Sequence, residues 1–464
     1  TKPTSKRSRP ASQVARSSSE RALGVNRAMS TPRPHRSTRG LPGRVKTLHP
    51  GPHPGAPPGG GGPPPPPPTG VLVVGASAAG LAVVEALRRE GYRDRITLLG
   101  GEPHLPYDRP PLSKQILSGA WRPERTLLRA PRMLAGLDAE LVLGCRATAF
   151  DAATRTVHTT TGAVTAEHVV IATGATPRTL PAPPGVRGVH VLRTLDDALA
   201  LRDGLSSRAR VVVVGEGVLG AEIAATARQT GHDVTMTGPQ RAPMAAQLGD
   251  FAAGLLAGLH TREGVRLRLG SGVAGLTEHG GEVTGVVLET SETLPADLVV
   301  VAIGAAPATD WLVGSGLALA DGVVCDERCR AAEGVYAAGD VARWRHPALR
   351  TTIRLENRTN ATEQAGVVAA NILGAERAYQ PIPYFWTDQF ATKIQVFGTI
   401  TPDAQVTAVD GDPAQGRFVA RFERDGAVTA VLGWNMPKQA RIQRQQLAQA
   451  HALPASPPTP AHSP

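Results

Sequence analysis

Two glycine-rich turns carry most of the chemistry that this chain can offer. Gly75, Ser77 and Gly80 fall in VLVVGASAAGLAVVEAL, Val71 to Leu87. Gly215, Gly217 and Gly220 fall in VVVVGEGVLGAEIAATA, Val211 to Ala227. Each turn follows four apolar residues and opens a run of small ones, the pattern of strand, tight bend and helix. Such a turn offers backbone N–H donors and a helix N-terminus to a diphosphate, with no side chain intruding. One copy is a weak signal. Two copies, a domain's width apart, imply two dinucleotide sites, most simply FAD with NADH or NADPH, and hence a redox enzyme. An Ala-Gly-Asp motif containing Gly339 and Asp340 lies well downstream.

The elements that must position these turns follow a repeated layout. After the first turn, RITLLG (Arg95 to Gly100) reads as the next strand, and HVVIATGATPR (His168 to Arg178) as a buried strand ending in a glycine bend. Between them, HLPYDRPPLSK (His104 to Lys114) carries three prolines, which argue against regular structure. Alternating residues near 141–149 and 155–160 suggest a small antiparallel insertion. The second unit repeats this order through DVTMTG (Asp233 to Gly238) and ADLVVVAIG (Ala296 to Gly304). The expected fold is α/β: two Rossmann-like domains and a C-terminal α+β interface domain. The expected boundaries are a disordered tail at 1–69, an FAD domain at 70–185 and 305–383, and a nicotinamide domain between them at 186–304. The interface domain follows at 384–446 and a second disordered tail at 447–464.

Charge sharpens that division. Of the 50 Lys and Arg, twelve lie in residues 1–69 against one acid, Glu20, so the +11 formal charge belongs to the tail. The balanced remainder gives no reason to expect nucleic acid on the folded body. The tail is rich in Pro, Ser, Arg and Gly and too poor in apolar residues to repay the entropy of folding. It reads as a dispensable extension, with Met29 an internal candidate start, or as an Arg-rich transit peptide. No stretch has the length of a membrane span. Three cysteines, Cys145, Cys325 and Cys329, form no Cys-x-x-Cys pair and offer no metal set, and so few thiols suit a reducing cytoplasm.

The second turn keeps the strict glycine pattern; the first has Ser77 at its middle position, where a hydroxyl can itself meet a phosphate. A Rossmann site usually adds an acid at the end of the next strand, for the adenosine ribose. In the second unit that strand ends Met236-Thr237-Gly238, without an acid, and Arg241 follows. A 2′-phosphate would escape the usual repulsion, so NADH and NADPH both remain open.

In order along the chain, VVGASAAGLA, PYDRPPLSK, VIATGATPR, LRTLDDA, VVVVGEGVLGAE, GVYAAGDVA, RLENRTNA and PYFWTDQF resemble the FAD-dependent, NAD(P)H-using ferredoxin reductases. These are of the putidaredoxin-reductase and aromatic-dioxygenase-reductase type, related to apoptosis-inducing factor. The resemblance spans about residues 70–446. It implies that Gly75, Ser77, Ala78, Ala79 and Gly80 surround the FAD diphosphate and that Glu102 bonds its ribose. Ala147, Thr173, Gly174, Arg193, Gly339, Asp340 and Arg358 become further flavin-side positions. Gly215, Gly217, Gly220, Gly238 and Arg241 fall to the nicotinamide cofactor. Lys114 is implied beside the flavin, paired with Glu222, and Trp386 near the ring and the acceptor surface. Arg358 stands where relatives usually have an aromatic residue, and a cation there would favour reduced flavin unless it points outward. Gly101 replaces what is often a second acid.

The implied reaction passes electrons from NAD(P)H through FAD to a ferredoxin-type iron–sulfur protein, serving a cytochrome P450 or a ring-hydroxylating dioxygenase. No metal and no protein nucleophile is required, because the cofactor does the redox chemistry. A disulfide reductase is disfavoured, since no cysteine lies near the first helix or in PYDRPPLSK. An NAD(P)H oxidase or redox sensor of the apoptosis-inducing-factor type is the alternative enzyme. A tail that binds polyanions is the alternative from another class.

Overall fold

The computed structural model describes residues 45–46, 69–182, 185–205 and 209–451. The disorder expected of the N-terminal tail therefore lies almost wholly outside the described residues. Within it, Val45–Lys46 forms a two-residue strand in parallel register with Leu141 and Val142, where no regular structure is expected. The edge of that sheet offers unpaired backbone groups, which a short extended segment can meet whatever its side chains.

Val71–Val74 is buried throughout, as its unbroken apolar run dictates for a strand covered on both faces. It pairs in parallel with Ile96–Gly100 on one side and His168–Ile171 on the other; Glu140–Leu143 lies beyond the first and Val335–Ala337 beyond the second. The AAGD segment therefore returns to the sheet that bears the first glycine turn, although 261 positions separate Val74 from Val335. A second parallel sheet repeats the plan: Arg210–Val214 is flanked by Asp233–Gly238 and Leu298–Val301, with Arg266–Leu269 outermost. Each unit carries an antiparallel three-stranded insertion, at 147–165 and 273–295. The two chain crossings between the units pair with one another, Ala175–Pro177 antiparallel to Ala305–Pro307.

The C-terminal part is a five-stranded antiparallel sheet, from Tyr384–Gln389 to Ala427–Trp434. Its closing helix runs Pro437–His451, past the end expected at 446, and Leu447 is fully buried. Ala440 and Leu447 seal it onto Phe397, Val419 and Val431. The composition of this helix is polar enough to look dispensable; one apolar stripe is what retains it.

Candidate functional site

Both glycine turns are shaped by what a side chain would strike. Gly75 adopts φ +122° and Gly215 φ +116°, a region that side-chain-bearing residues rarely enter. A Cβ at Gly75 would overlap the Ala172 carbonyl, and one at Gly215 the Ala302 carbonyl. The helices that follow, Ala78–Arg89 and Val218–Gln229, have no side chain capping their N-termini and no acid in the first turn. Their leading N–H groups keep their donor capacity and positive potential for an anion. Around Gly217 a Cβ would meet open space. Gly339, at φ +80°, approaches Ala79 so closely that a Cβ would lie 3.0 Å from the alanine's own. The AAGD loop and the first glycine turn thus form one cradle, which fits a bound dinucleotide diphosphate.

Ser77 precedes the first helix and leaves its hydroxyl uncommitted to capping. Ala78 is half-buried beside it. Asp340 Oδ2 accepts from Arg193 Nη2 at 3.0 Å. Arg193 in turn is held at the head of a helix by Asp197, whose carboxylate accepts from the Arg193 and Thr194 N–H groups at 3.0 and 2.8 Å. Gly174 opens the path, since a Cβ there would lie 3.0 Å from the Arg193 guanidinium. Thr173 turns its hydroxyl to the Ala308 carbonyl at 3.0 Å, tying the bend at Gly174 to the second chain crossing. Ala147 begins the outer insertion, half-buried and paired with Thr159. Asp340→Ala should therefore release Arg193 and yield a protein that loses flavin on purification. The ratio of flavin absorbance to protein absorbance reads this, and full occupancy in the variant would misplace the site.

Glu102 has partners that its sequence context does not disclose. Its carboxylate accepts from the Tyr107 hydroxyl and from Arg109 Nη2, the latter at 2.7 Å. Arg109 also donates to the Arg193 carbonyl. Burial works against the Arg109 charge, yet Tyr107, Glu102 and Asp340 around it raise its pKa. Glu102, Tyr107, Arg109, Arg193 and Asp340 are thus one alternating network, and Arg109 is a member that the motif reading overlooked.

The proline-rich loop contains a helical turn after all. Leu112–Ile116 forms a single wide turn closed by Ile116 N–H to the Pro111 carbonyl at 3.0 Å and Leu117 N–H to Leu112 at 3.2 Å. Prolines are tolerated at the start of a helix, where their missing N–H costs nothing, and here they precede the turn rather than interrupt it. Wide turns of this kind often occur at functional positions. This one aims Lys114 at Glu222, with Nζ 2.6 Å from Oε2. Ser113 Oγ donates to the same oxygen at 2.6 Å, and Thr387 Oγ1 to Oε1 at 2.8 Å. Beyond Thr387, the amide of Gln389 donates to it at 3.0 Å and meets His260 Nε2 at 2.7 Å. Three elements converge: the wide turn, the second glycine-turn helix and the first strand of the C-terminal sheet. Ser113, Thr387 and Gln389 are contributions that sequence reasoning missed. Trp386 sits on that strand, half-buried, its ring 6.0 Å from Tyr384 and near parallel to it.

Arg358 does not stand as a free cation. It occupies the first position of helix Arg358–Ile372, and its Nε donates to Asp108 Oδ1 at 2.6 Å. The carboxylate opposes its field, so the unpaired cation on which a bias toward reduced flavin would depend is not present. Arg241 is exposed. Gly220 lets its helix close on the strand, since a Cβ there would overlap the Gly215 carbonyl. Gly238 faces an acid from elsewhere: a Cβ on it would overlap the Glu216 carboxylate. Among the described residues no group of His, Cys, Asp and Glu could hold a metal, and no helix is long and apolar enough to cross a membrane. The three cysteines are free and buried, and burial pushes the Cys329 thiol up to about 12, far from a reactive thiolate.

The fold and the site together define a class: a dinucleotide-dependent oxidoreductase with two glycine-turn units and an appended α+β domain. Residues 69–365 match the family model described as pyridine nucleotide-disulphide oxidoreductase, and residues 384–458 match that of the reductase C-terminal domain. The chain belongs to that family, in its ferredoxin reductase branch. It is 34% identical to rhodocoxin reductase of Rhodococcus erythropolis, across 82% of this chain and 89% of that one. It is 34% identical to the ferredoxin–NAD(+) reductase subunit of the benzene 1,2-dioxygenase system of Pseudomonas putida, across 79% and 90%. The reductase in the solved covalent putidaredoxin reductase–putidaredoxin complex superposes with a TM-score of 0.78 at 31% identity, covering 82% of this chain and 93% of that one.

Proposed function

We propose that this protein passes electrons from NADH or NADPH, by way of FAD, to a ferredoxin-type iron–sulfur protein that feeds a cytochrome P450 or a ring-hydroxylating dioxygenase. The observation that carries the reading is the convergence of Lys114, Glu222 and Thr387, which joins both glycine-turn units to the strand bearing Trp386. Relatives named as ferredoxin reductases, matched over most of their length, support the acceptor class.

On this reading Gly75, Ser77, Ala78, Ala79, Gly80 and Gly339 would hold the FAD diphosphate, with Asp340 and Arg193 beside it. Gly215, Gly217 and Gly220 would hold the nicotinamide dinucleotide. Bound FAD supplies the conversion between two-electron donation and one-electron delivery. The protein's own part is geometric and electrostatic. Glu222 fixes the Lys114 side chain in place, so it would face a reacting ring without being drawn into solvent. The Thr387 hydroxyl fixes the other carboxylate oxygen and with it the height of Trp386's strand.

Anaerobic titration of the purified protein with NADH and with NADPH tests the first half. Bleaching of the flavin absorbance by at least one donor is expected, followed by transfer to an added [2Fe–2S] ferredoxin. A bound flavin that neither donor bleaches would reduce the protein to a flavin-binding module. Rapid bleaching with oxygen as the only acceptor that works would favour an oxidase.

A further inference from the structure

The two units can be superposed by strand register alone. Val74 pairs with Leu99, and Val214 with Thr237, so Gly100 and Gly238 hold the same place, as do Ala76 and Glu216. In the first unit the acid follows the strand end by two residues, at Glu102. In the second the same place is Gln240, which carries no charge. Its N–H instead donates to Glu216 Oε1 at 3.0 Å. The acid missing from the strand end is therefore supplied by the glycine turn itself. Only a glycine at 238 leaves room for it, because a Cβ there would overlap the carboxylate. Glu216 is 3% exposed, and its Oε2 accepts no hydrogen bond from a protein group among the described residues.

We propose that Glu216, lodged over Gly238, is the residue that selects NADH over NADPH. The proposal rests on reading the second glycine turn as the nicotinamide dinucleotide site. A Rossmann fold presents a carboxylate at this strand end to the adenosine ribose, where it accepts from the 2′-hydroxyl. A carboxylate there opposes a 2′-phosphate, and in a place so poorly solvated the repulsion is weakly screened. Arg241 stands exposed beyond the turn and would have to overcome that field to favour the phosphate. Glu216 and Gly238 act as a matched pair: the acid has moved to the turn, and the glycine has moved to the strand.

The test is calorimetric binding of NAD+ and NADP+ to the full chain with its flavin in place, so that turnover plays no part. The native protein should bind NAD+ at least about tenfold more tightly than NADP+, since like charges at a binding face are costly. Glu216→Gln keeps the side chain's size and the acceptor for Gln240, and should erase most of that ratio. The paired exchange Glu216→Gly with Gly238→Glu should restore it, which a general loss of folding would not. Equal or tighter NADP+ binding by the native protein overturns the inference, as does a ratio unchanged in Glu216→Gln. Binding of neither nucleotide by the native protein overturns the underlying reading of the second turn as well.

Discussion

Replacing Glu222 with alanine should destabilise the protein by about 3–5 kcal/mol, the cost of stranding a buried charge. Glu222 is 6% exposed, and it accepts from three separate donors: Lys114, Ser113 and Thr387. Alanine would leave the Lys114 ammonium without its counter-charge and two hydroxyls without their acceptor. Each of those groups has little water to turn to. Removing both charges at once, with Lys114→Met and Glu222→Leu, should recover the part of the loss that comes from the stranded ammonium, because a buried pair replaced by apolar groups of similar size is often nearly neutral, while Ser113 and Thr387 still lack their acceptor. Denaturant unfolding of the flavin-loaded variants measures both. A loss under about 1 kcal/mol for Glu222→Ala would place the pair in the range of solvated surface bridges, and the convergence would cease to be a structural joint. Lys114→Met alone should also slow flavin reduction, and unchanged kinetics would remove the lysine from the reaction.

The second large effect separates the two cradles. Gly215→Ala should leave flavin bound while weakening NAD+ and NADP+ binding and slowing reduction by about 100-fold, the scale on which a misplacement of one ångström acts. Gly75→Ala should instead purify colourless. In each case the new Cβ meets a backbone carbonyl, of Ala302 or of Ala172, which cannot rotate away as a side chain would. The turn must shift, and its N–H groups shift with it. Flavin content and nicotinamide binding, measured side by side, check the division. A Gly215→Ala protein that loses its flavin, or a Gly75→Ala protein that keeps it, would show that the two turns have been assigned to the wrong partners.

The repeated units were legible in the sequence because local forces dictate them. Four buried valines or leucines in a row demand a strand covered on both faces, and a glycine bend followed by small residues demands a helix packed close against it. Both occur within about 17 residues, so pattern alone reveals them. The doubling of that pattern and the single acid–glycine exchange at positions 216 and 238 were likewise present in the letters. Their meaning was not, since nothing local says that the Glu216 side chain folds back over Gly238.

Resemblance to a family pointed to Lys114 beside Glu222, but Thr387 and Ser113 on the same carboxylate came only from the fold. These contacts span 108, 109 and 165 positions, distances at which no propensity or periodicity operates. The wide turn after Pro111 is of the same kind, since prolines read as breakers until the chain is seen to begin a helix just past them. Arg358 is a third case. Its charge is written in the sequence, while its pairing with Asp108, 250 positions away, is a fact of packing. The amino-acid sequence by itself determined two glycine-turn cradles, their order and the sheets beneath them, because each is built from neighbours along the chain. The tertiary structure decided which charges are balanced and which side chains share the space between the cradles, because burial and Coulomb energy depend on distance in space, whatever the separation in sequence.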